Sequence, residues 1–267
     1  LSDQHQFNLT GDFYRKSAYT TDISASLFSN YKSDATQQQD IDRTQFSLEH
    51  IYKPETLVLF DQLKSKIWYQ ESNNETATSF MNNANTKRDF STTYKEKNKG
   101  IKFDASKNLE QQTLKYGLAV DQKDYSSTKV DLRNGATLPT LYQDGYLLDS
   151  ELKRYAAYFS DEIRLGLFGH DLTLTPSLRF ERQEYRPDSS SYSDVQARDF
   201  SYVSPGFAAS YQFTPENYGY FKYTRGTRIP SPTEIGGIYQ TTAGNPSYIV
   251  IGNTNLDEET SDAFEIG

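Results

Sequence analysis

The sequence predicts an all-β membrane protein whose strands form a transmembrane antiparallel up-and-down β-barrel. The first observation is an alternation of apolar and polar residues with a period of two, which is the period of a strand. Its clearest apolar face is formed by Leu172, Leu174, Pro176, Leu178 and Phe180. Such segments run for ten or more residues, which suits a tilted strand that crosses a bilayer. They are joined alternately by short turns and by long polar loops.

The alternation places the strands in order along the chain, after a weakly patterned first strand that contains His5. In the first half we predict strands at residues 22–32, 41–53, 57–71, 89–106 and 111–125. In the second half we predict strands at residues 151–167, 172–185, 200–213, 218–228 and 258–267. The pattern therefore predicts a meander of about ten or eleven strands.

The predicted connections differ in length at the two ends of this meander. Short turns lie at residues 53–56, 107–110, 168–171 and 214–217. Long loops lie at residues 33–40, 72–88, 126–150, 186–199 and 229–257. Outer-membrane barrels have short periplasmic turns and long extracellular loops. Because open strand edges are not tolerated in lipid and the chain begins and ends inside strands, we expect residues 1–267 to be part of a larger barrel.

The composition agrees with a barrel. No apolar run approaches the roughly 20 residues that a membrane helix needs, but alternate residues of a barrel strand face a polar lumen. The 21 Tyr and 16 Phe suit the aromatic girdles of a barrel. A secreted β-sandwich or a Tyr-rich sugar-binding module is the alternative that this composition also allows.

The sequence lacks the residues that several classes of function require. The chain has no Cys, which excludes a disulfide framework and a thiolate metal site. Its net charge of −8 argues against a nucleic-acid partner. His5, His50 and His170 are scattered, so no metal site is expected. We find no nucleophile–base pair, phosphate loop or catalytic carboxylate pair, so we do not expect an enzyme.

Two short motifs flank the last long loop. The first is Thr-Arg-Ile-Pro at residues 227–230, and the second is Asn-Thr-Asn-Leu at residues 253–256, followed by a glutamate. Their order resembles that of the TonB-dependent outer-membrane receptors, in which Phe-Arg-Ala-Pro precedes a loop and Asn-Pro-Asn-Leu and Pro-Glu follow it. The matching residues are Arg228, Pro230, Asn253, Asn255, Leu256 and Glu259. Residues 172–185 also resemble an outgoing strand of this family.

The resemblance implies about half of a 22-stranded barrel in the bacterial outer membrane, with no plug domain in this segment. It implies active uptake, in which extracellular loops capture a ligand and the TonB energy complex acts through the plug. It also implies contact with membrane lipid and lipopolysaccharide, a monomeric state and no intrinsic cofactor. Haem or a ferric chelate would be the transported ligand.

The paired motifs are emphasised in receptors for haem, haemoglobin and haemophores, which makes haem or a haem-carrying protein the expected ligand. Such receptors commonly carry a His in this loop, but residues 231–252 contain none. Tyr239 and Tyr248 supply phenols that could ligate ferric haem, and Asn245 supplies a polar contact. The two tyrosines could instead pack the loop or contact a protein. The alternative functions are a ferric-siderophore receptor and, third, a passive porin or adhesin barrel.

Two further expectations concern the loops and the lumen. The loops at residues 126–150, 186–199 and 229–257 are expected to form the capture surface, since their Tyr and Asn residues suit adaptable contacts. Arginine and glutamate alternate on the polar faces of two neighbouring strands, where we expect ion pairs across the strands. These residues are Glu162, Arg164, Arg179 and Glu181.

Overall fold

The computed structural model describes residues 3–21, 35–81, 85–134, 136–137, 147–188, 195–241 and 248–267. Six strands lie in the first part of the chain: β1 (His5–Thr20), β2 (Thr36–Tyr52), β3 (Gln62–Met81), β4 (Lys87–Asn108), β5 (Gln112–Arg133) and β6 (Ala136–Thr137). The next four are β7 (Ser150–Leu167), β8 (His170–Pro187), β9 (Arg198–Gln212) and β10 (Tyr218–Arg228). The last elements are α1 (Pro232–Gly236), β11 (Ile238–Thr241), β12 (Tyr248–Ile251) and β13 (Glu259–Ile266).

The long strands form one antiparallel sheet in which each pairs with its neighbour in sequence. The order is β1-β2-β3-β4-β5-β7-β8-β9-β10-β13, while β6 pairs with β5 and β11 pairs only with β12. The predicted all-β up-and-down meander is therefore confirmed. Among the described residues, no helix is long and apolar enough to cross a membrane.

Several strands reach further towards the long-loop end than the sequence predicts. The expected loop at residues 72–88 is wrong, because β3 continues to Met81 and β4 begins at Lys87. In the same way β2 begins at Thr36, and β5 runs to Arg133 inside the expected loop at 126–150. These extensions pair polar residues such as Thr76 and Thr92, so the polar–apolar alternation that marks a strand is absent. The predicted strand at residues 22–32 lies outside the described residues.

The other end of the sheet carries connections at residues 53–61, 109–111, 168–169 and 213–217. The predicted start of a strand at residue 57 is wrong, because β3 begins only at Gln62. Residues 53–61 instead fold against the next turn. Lys107 Nζ donates to the Leu57 carbonyl at 3.0 Å and to Asp61 Oδ1 at 2.6 Å. Lys107 and the Asn108 amide also lower the pKa of Asp61.

The cross-strand register sorts the long strands into two faces. One face is rich in apolar side chains that are at least one third exposed, which is typical of a surface that contacts lipid. On it lie Leu9, Phe46, Leu48, Ile67, Ile101, Phe103, Leu118, Phe159, Leu178, Phe180, Val203, Phe207 and Phe264. We call it the outward face. The opposite face is polar and contains Trp68, Asp121, Arg154 and Glu181, as the lumen of a barrel requires.

The ion pairs on the lumen face do not follow the predicted cross-strand pattern. Arg179 binds Glu181 at 2.6 Å and Arg164 binds Glu162 at 2.7 Å, so each pair forms along one strand and not across two strands. Residues i and i+2 share a face, and a long arginine side chain spans that distance. The position across from Arg179 is occupied by Tyr158, whose hydroxyl donates to Asp104 on β4. The expected cross-strand pairing of these four residues is therefore wrong.

Candidate ligand-capture site at the loop end of the sheet

A small apolar core lies at the long-loop end of the sheet. Its members are each no more than 3% exposed, and they come from three different connections and the strand ends beside them. They are Leu148, Tyr185, Val195, Phe200, Ile235 and Ile238, which we call the loop-base core. Residues buried against one another across three loops fix the relative positions of those loops. The bases of the three expected capture loops are therefore one packed unit.

Helix α1 begins the last connection, where the sequence had predicted only a loop. Ser231 is its N-cap residue, and Pro232 occupies its first turn. The Ser231 amide donates to Glu234 Oε2 at 2.7 Å, and the Ser231 hydroxyl accepts from the Glu234 amide. This reciprocal arrangement is a capping box, and Pro is favoured at the first helical position. The Ser-Pro-Thr-Glu sequence is the signal that could have revealed the helix.

Arg228 from the first motif links the last connection to the strands on either side of it. Its Nη2 lies 2.6 Å from Glu234 Oε1, and its Nη1 lies 3.1 Å from Glu259 Oε1. The end of β10, helix α1 and the start of β13 are thus linked through one guanidinium. The bond from Arg228, together with two bonds from Ser231, lowers the pKa of Glu234 to about 2.

The second motif lies directly against α1. The Asn253 amide donates to the Glu234 carbonyl at 2.8 Å, and Asn253 Oδ1 accepts from the Asn255 amide at 2.9 Å. The Leu256 carbonyl accepts from Arg198 on β9 at 3.1 Å. Asn253 thereby closes a side-chain turn of the kind that asparagine favours. The motif residues are brought together, but their partners are one another and the neighbouring backbone.

A glycine permits the close approach of these two segments. A Cβ atom on Gly252 would lie 2.5 Å from the carbonyl carbon and oxygen of Ile235, which is closer than side chains can approach a backbone. The Gly252 amide donates to the Gly237 carbonyl at 2.7 Å. Pro230, at the end of the first motif, is also buried. The sequence alone gave no sign that residue 252 must be glycine.

The hairpin of β11 and β12 projects from this base. Position 239 pairs with Val250 and position 248 pairs with Thr241, so Tyr239 and Tyr248 share one face of the ladder. Ile238 lies on the other face and is buried in the loop-base core. For Tyr239 and Tyr248 the structure describes the backbone only, and Asn245 lies outside the described residues.

The histidines lie far along the sheet from this site. His5 Nδ1 and His50 Nε2 are 2.9 Å apart near the short-turn end, and His170 contacts Tyr211 edge to face. In the described part of the chain, no group of three or more His, Cys, Asp or Glu side chains could hold a metal ion.

The family model described as "TonB dependent receptor-like, beta-barrel" matches residues 1–267. The chain belongs to this family. No curated protein matches the sequence. The barrels of this family are bacterial outer-membrane proteins, and the family consists of transport receptors. In outer-membrane barrels the short connections are periplasmic and the long ones are extracellular.

Two solved structures share the fold of this TonB-dependent receptor barrel at 14% sequence identity. The Serratia marcescens hemophore receptor HasR, a double mutant in complex with its hemophore HasA and heme, matches 98% of this chain with a TM-score of 0.56. The unliganded ferric citrate transporter FecA matches 85% of this chain with a TM-score of 0.50. The present chain spans 41% of the HasR chain and 34% of the FecA chain.

Proposed function

We propose that this chain is the ligand-capturing part of an outer-membrane receptor that takes up haem, either free or from a haem-carrying protein such as a haemophore. Residues 1–267 would form about half of a 22-stranded barrel, and further strands would close against β1 and β13. The TonB energy complex would act through the plug that such receptors carry. Haem would be cargo, and the barrel would hold no cofactor of its own.

One observation carries this proposal: the loop-base core fixes a hairpin with two tyrosine positions on one face at the extracellular mouth. Ile238 on the opposite face is buried in the loop-base core, which supports assigning ligand contact to the face that contains positions 239 and 248. A tyrosinate is a known axial ligand of ferric haem. Tyrosine and asparagine also suit contacts with a protein carrier, which is the role we assign to Asn245. HasR, which shares the fold, is seen with its hemophore and heme.

A ferric chelate is the second candidate ligand. FecA shares the fold as well, and the segment from residue 231 to 252 contains no His. Both observations favour a ligand that carries its own iron coordination. Because the family is one of transport receptors, we do not retain the passive porin or adhesin alternative.

The test is a titration of the full-length detergent-purified receptor with ferric haem, read by Soret absorbance, with ferric citrate as the competing ligand. We expect saturable binding with a shifted Soret band. Tyr239→Phe or Tyr248→Phe should change the band position, while Tyr218→Phe serves as the control because Tyr218 is exposed at the periplasmic end. Saturable haem binding with an unchanged spectrum in both variants would exclude ligation by this hairpin. Binding of ferric citrate without haem binding would favour the second candidate.

A further inference from the structure

One aromatic ring is held against the lumen face part-way along β3. Trp68 is the only tryptophan in the sequence, and its side chain is half-buried. Gly100 lies directly across from it on β4, and a Cβ atom at that position would overlap the indole. The indole Nε1 donates to Asn98 Oδ1 at 3.2 Å, which fixes the ring in this place. The glycine therefore allows a flat apolar surface to lie close to the wall of the lumen.

Three lysines lie on the lumen face between this ring and the periplasmic end of the strands. Lys66 and Lys64 occupy the next two lumen positions of β3, and Lys102 lies directly across from Lys66 on β4. In the other direction the next lumen positions of β3 are uncharged, namely Gln70, Ser72, Asn74 and Thr76. We call Trp68 and the three lysines the lumen site. It lies between the extracellular loops and the periplasmic end, so a ligand that crosses the barrel passes its level.

Two of these lysines face each other with like charge. Residues directly opposite on one face of an antiparallel pair have Cβ atoms about 5 Å apart, where equal charges are destabilising. Lys66 and Lys102 occupy such positions. Lys64 and Lys66 form no ion pair with any residue that the structure describes. An anion bound beside them would relieve this repulsion.

The acids nearest to the lysines have other partners. Asp104 binds Lys102 at 3.0 Å, and Lys102 Nζ also lies 5.9 Å from the centroid of the Tyr158 ring. Glu49 lies across from Lys66 on β2, but it accepts from a side-chain amide of β1 at 3.1 Å. The described wall therefore holds Lys102 in place and leaves the ammonium group of Lys66 without a bound carboxylate.

We propose that the lumen site binds haem on its way from the extracellular loops to the periplasm, an inference that rests on the proposed function. The flat tetrapyrrole packs on the Trp68 indole, as aromatic rings do when they stack with an offset. Its two propionate carboxylates bind the ammonium groups of Lys64 and Lys66 through charge-assisted hydrogen bonds. Ferric citrate has carboxylates but no flat apolar ring, so the site favours haem over the second candidate ligand.

The experiment places the photoreactive residue p-benzoylphenylalanine at position 119 of the full-length receptor, directly across from Lys102 on β5. Cells that take up ferric haem below saturation are irradiated, and the labelled products are identified by mass spectrometry. We expect a haem adduct whose yield falls about fivefold or more in Trp68→Leu and in Lys64→Gln, Lys66→Gln. Haem with both propionates esterified should give a similarly low yield in the wild-type background.

Matched controls remove the same groups from the outward face. Tyr69→Leu removes the ring next to Trp68 in the sequence, and Lys97→Gln, Lys99→Gln removes two cations from β4. Both controls should give the wild-type yield of the haem adduct. Heat-modifiable migration on a gel shows that the barrel of each variant is folded, and Soret titration should show unchanged haem binding at the extracellular loops.

Three results would overturn the proposal. The first is an equal yield of the haem adduct in the wild type and in both lumen-site variants. The second is equal labelling by haem and by its diester, and the third is labelling of plug peptides without any haem adduct, because the plug would then cover this wall. Haem uptake by the same cells is measured in parallel. Uptake without a haem adduct contradicts the lumen site alone, whereas the absence of both uptake and Soret binding contradicts the proposed function as well.

Discussion

The membrane-crossing part of the sheet and the loop-base core are held together by different kinds of contact. The sheet is a ladder between sequence neighbours, and its outward side chains are largely apolar and exposed. The loop-base core joins residues from Leu148 to Ile238, and Arg228 links three segments through side-chain bonds. We therefore expect the barrel wall to persist when the capture site is lost, because the ladder depends on backbone pairing between strands and not on the packing of the loop-base core.

The largest effect is expected from deleting residues 236–252. The deletion removes Ile238 and the hairpin but leaves the ladder from β1 to β10 and β13 intact. We expect complete loss of haem binding with a barrel that still shows heat-modifiable migration. Haem titration and gel migration of the same preparation measure the two outcomes. Normal binding by the shortened receptor would contradict the site assignment.

The next largest effect is expected from one of two matched aromatic substitutions. Tyr185 is fully buried in the loop-base core, so Tyr185→Ala should destabilise that unit by about 3 kcal/mol or more. Phe180, five residues earlier on the same strand, is exposed on the outward face, and its replacement by alanine should leave the loops unchanged. Limited proteolysis of the folded receptor reports the difference as faster cleavage in the extracellular loops. Equal cleavage of both variants would show that the core does not hold the loops.

The helix cap should have a smaller effect. Ser231→Ala removes the hydroxyl that accepts from the Glu234 amide, and such caps contribute about 1 kcal/mol. We expect moderately faster proteolysis near α1 and weaker haem binding. Thr260→Ala is the matched control, since Thr260 is an exposed hydroxyl residue on β13 and lies outside α1. If the control is cleaved as fast as Ser231→Ala, the capping box is not responsible.

The smallest effect is expected from pH. The pKa of Glu234 is lowered from 4.5 to about 2, so its contribution to loop stability is present above pH 4.5 and is lost as the pH falls through 2. Proteolysis of the last connection by an acid-stable protease should therefore accelerate between these pH values. Glu234→Gln should remove that pH dependence while the barrel remains folded. A wild-type cleavage rate that stays flat over this range would contradict the ionised pair with Arg228.

The sequence predicted the sheet better than the site, and particular residues show why. The alternation from Leu172 to Phe180 predicts β8 because one face contacts lipid and the other lines the lumen. Above the membrane both faces are polar, so the upper parts of β3 and β4 looked like a loop. These extensions are visible only through their pairing with each other.

The contacts that form the site could not be predicted from any local sequence pattern. The resemblance identified Arg228, Asn253 and Glu259, but it could not show that Arg228 bonds Glu259 or that Asn253 packs on α1. Only the structure brings residue 252 within contact of Ile235, more than 15 positions earlier. The roles expected of Tyr239 and Tyr248 in ligand binding stay predictions.

Hydrogen–deuterium exchange on the full-length receptor, with and without ferric haem, tests the central claim most directly. The amides of Gly237, Gly252 and Asn253 each donate to a backbone carbonyl at the loop base. We predict that these three amides are protected before ligand is added, and that haem slows exchange at residues 239 and 248 as well. Exchange of the three amides at the rate of an open loop, with no change on adding haem, would contradict a preformed capture site.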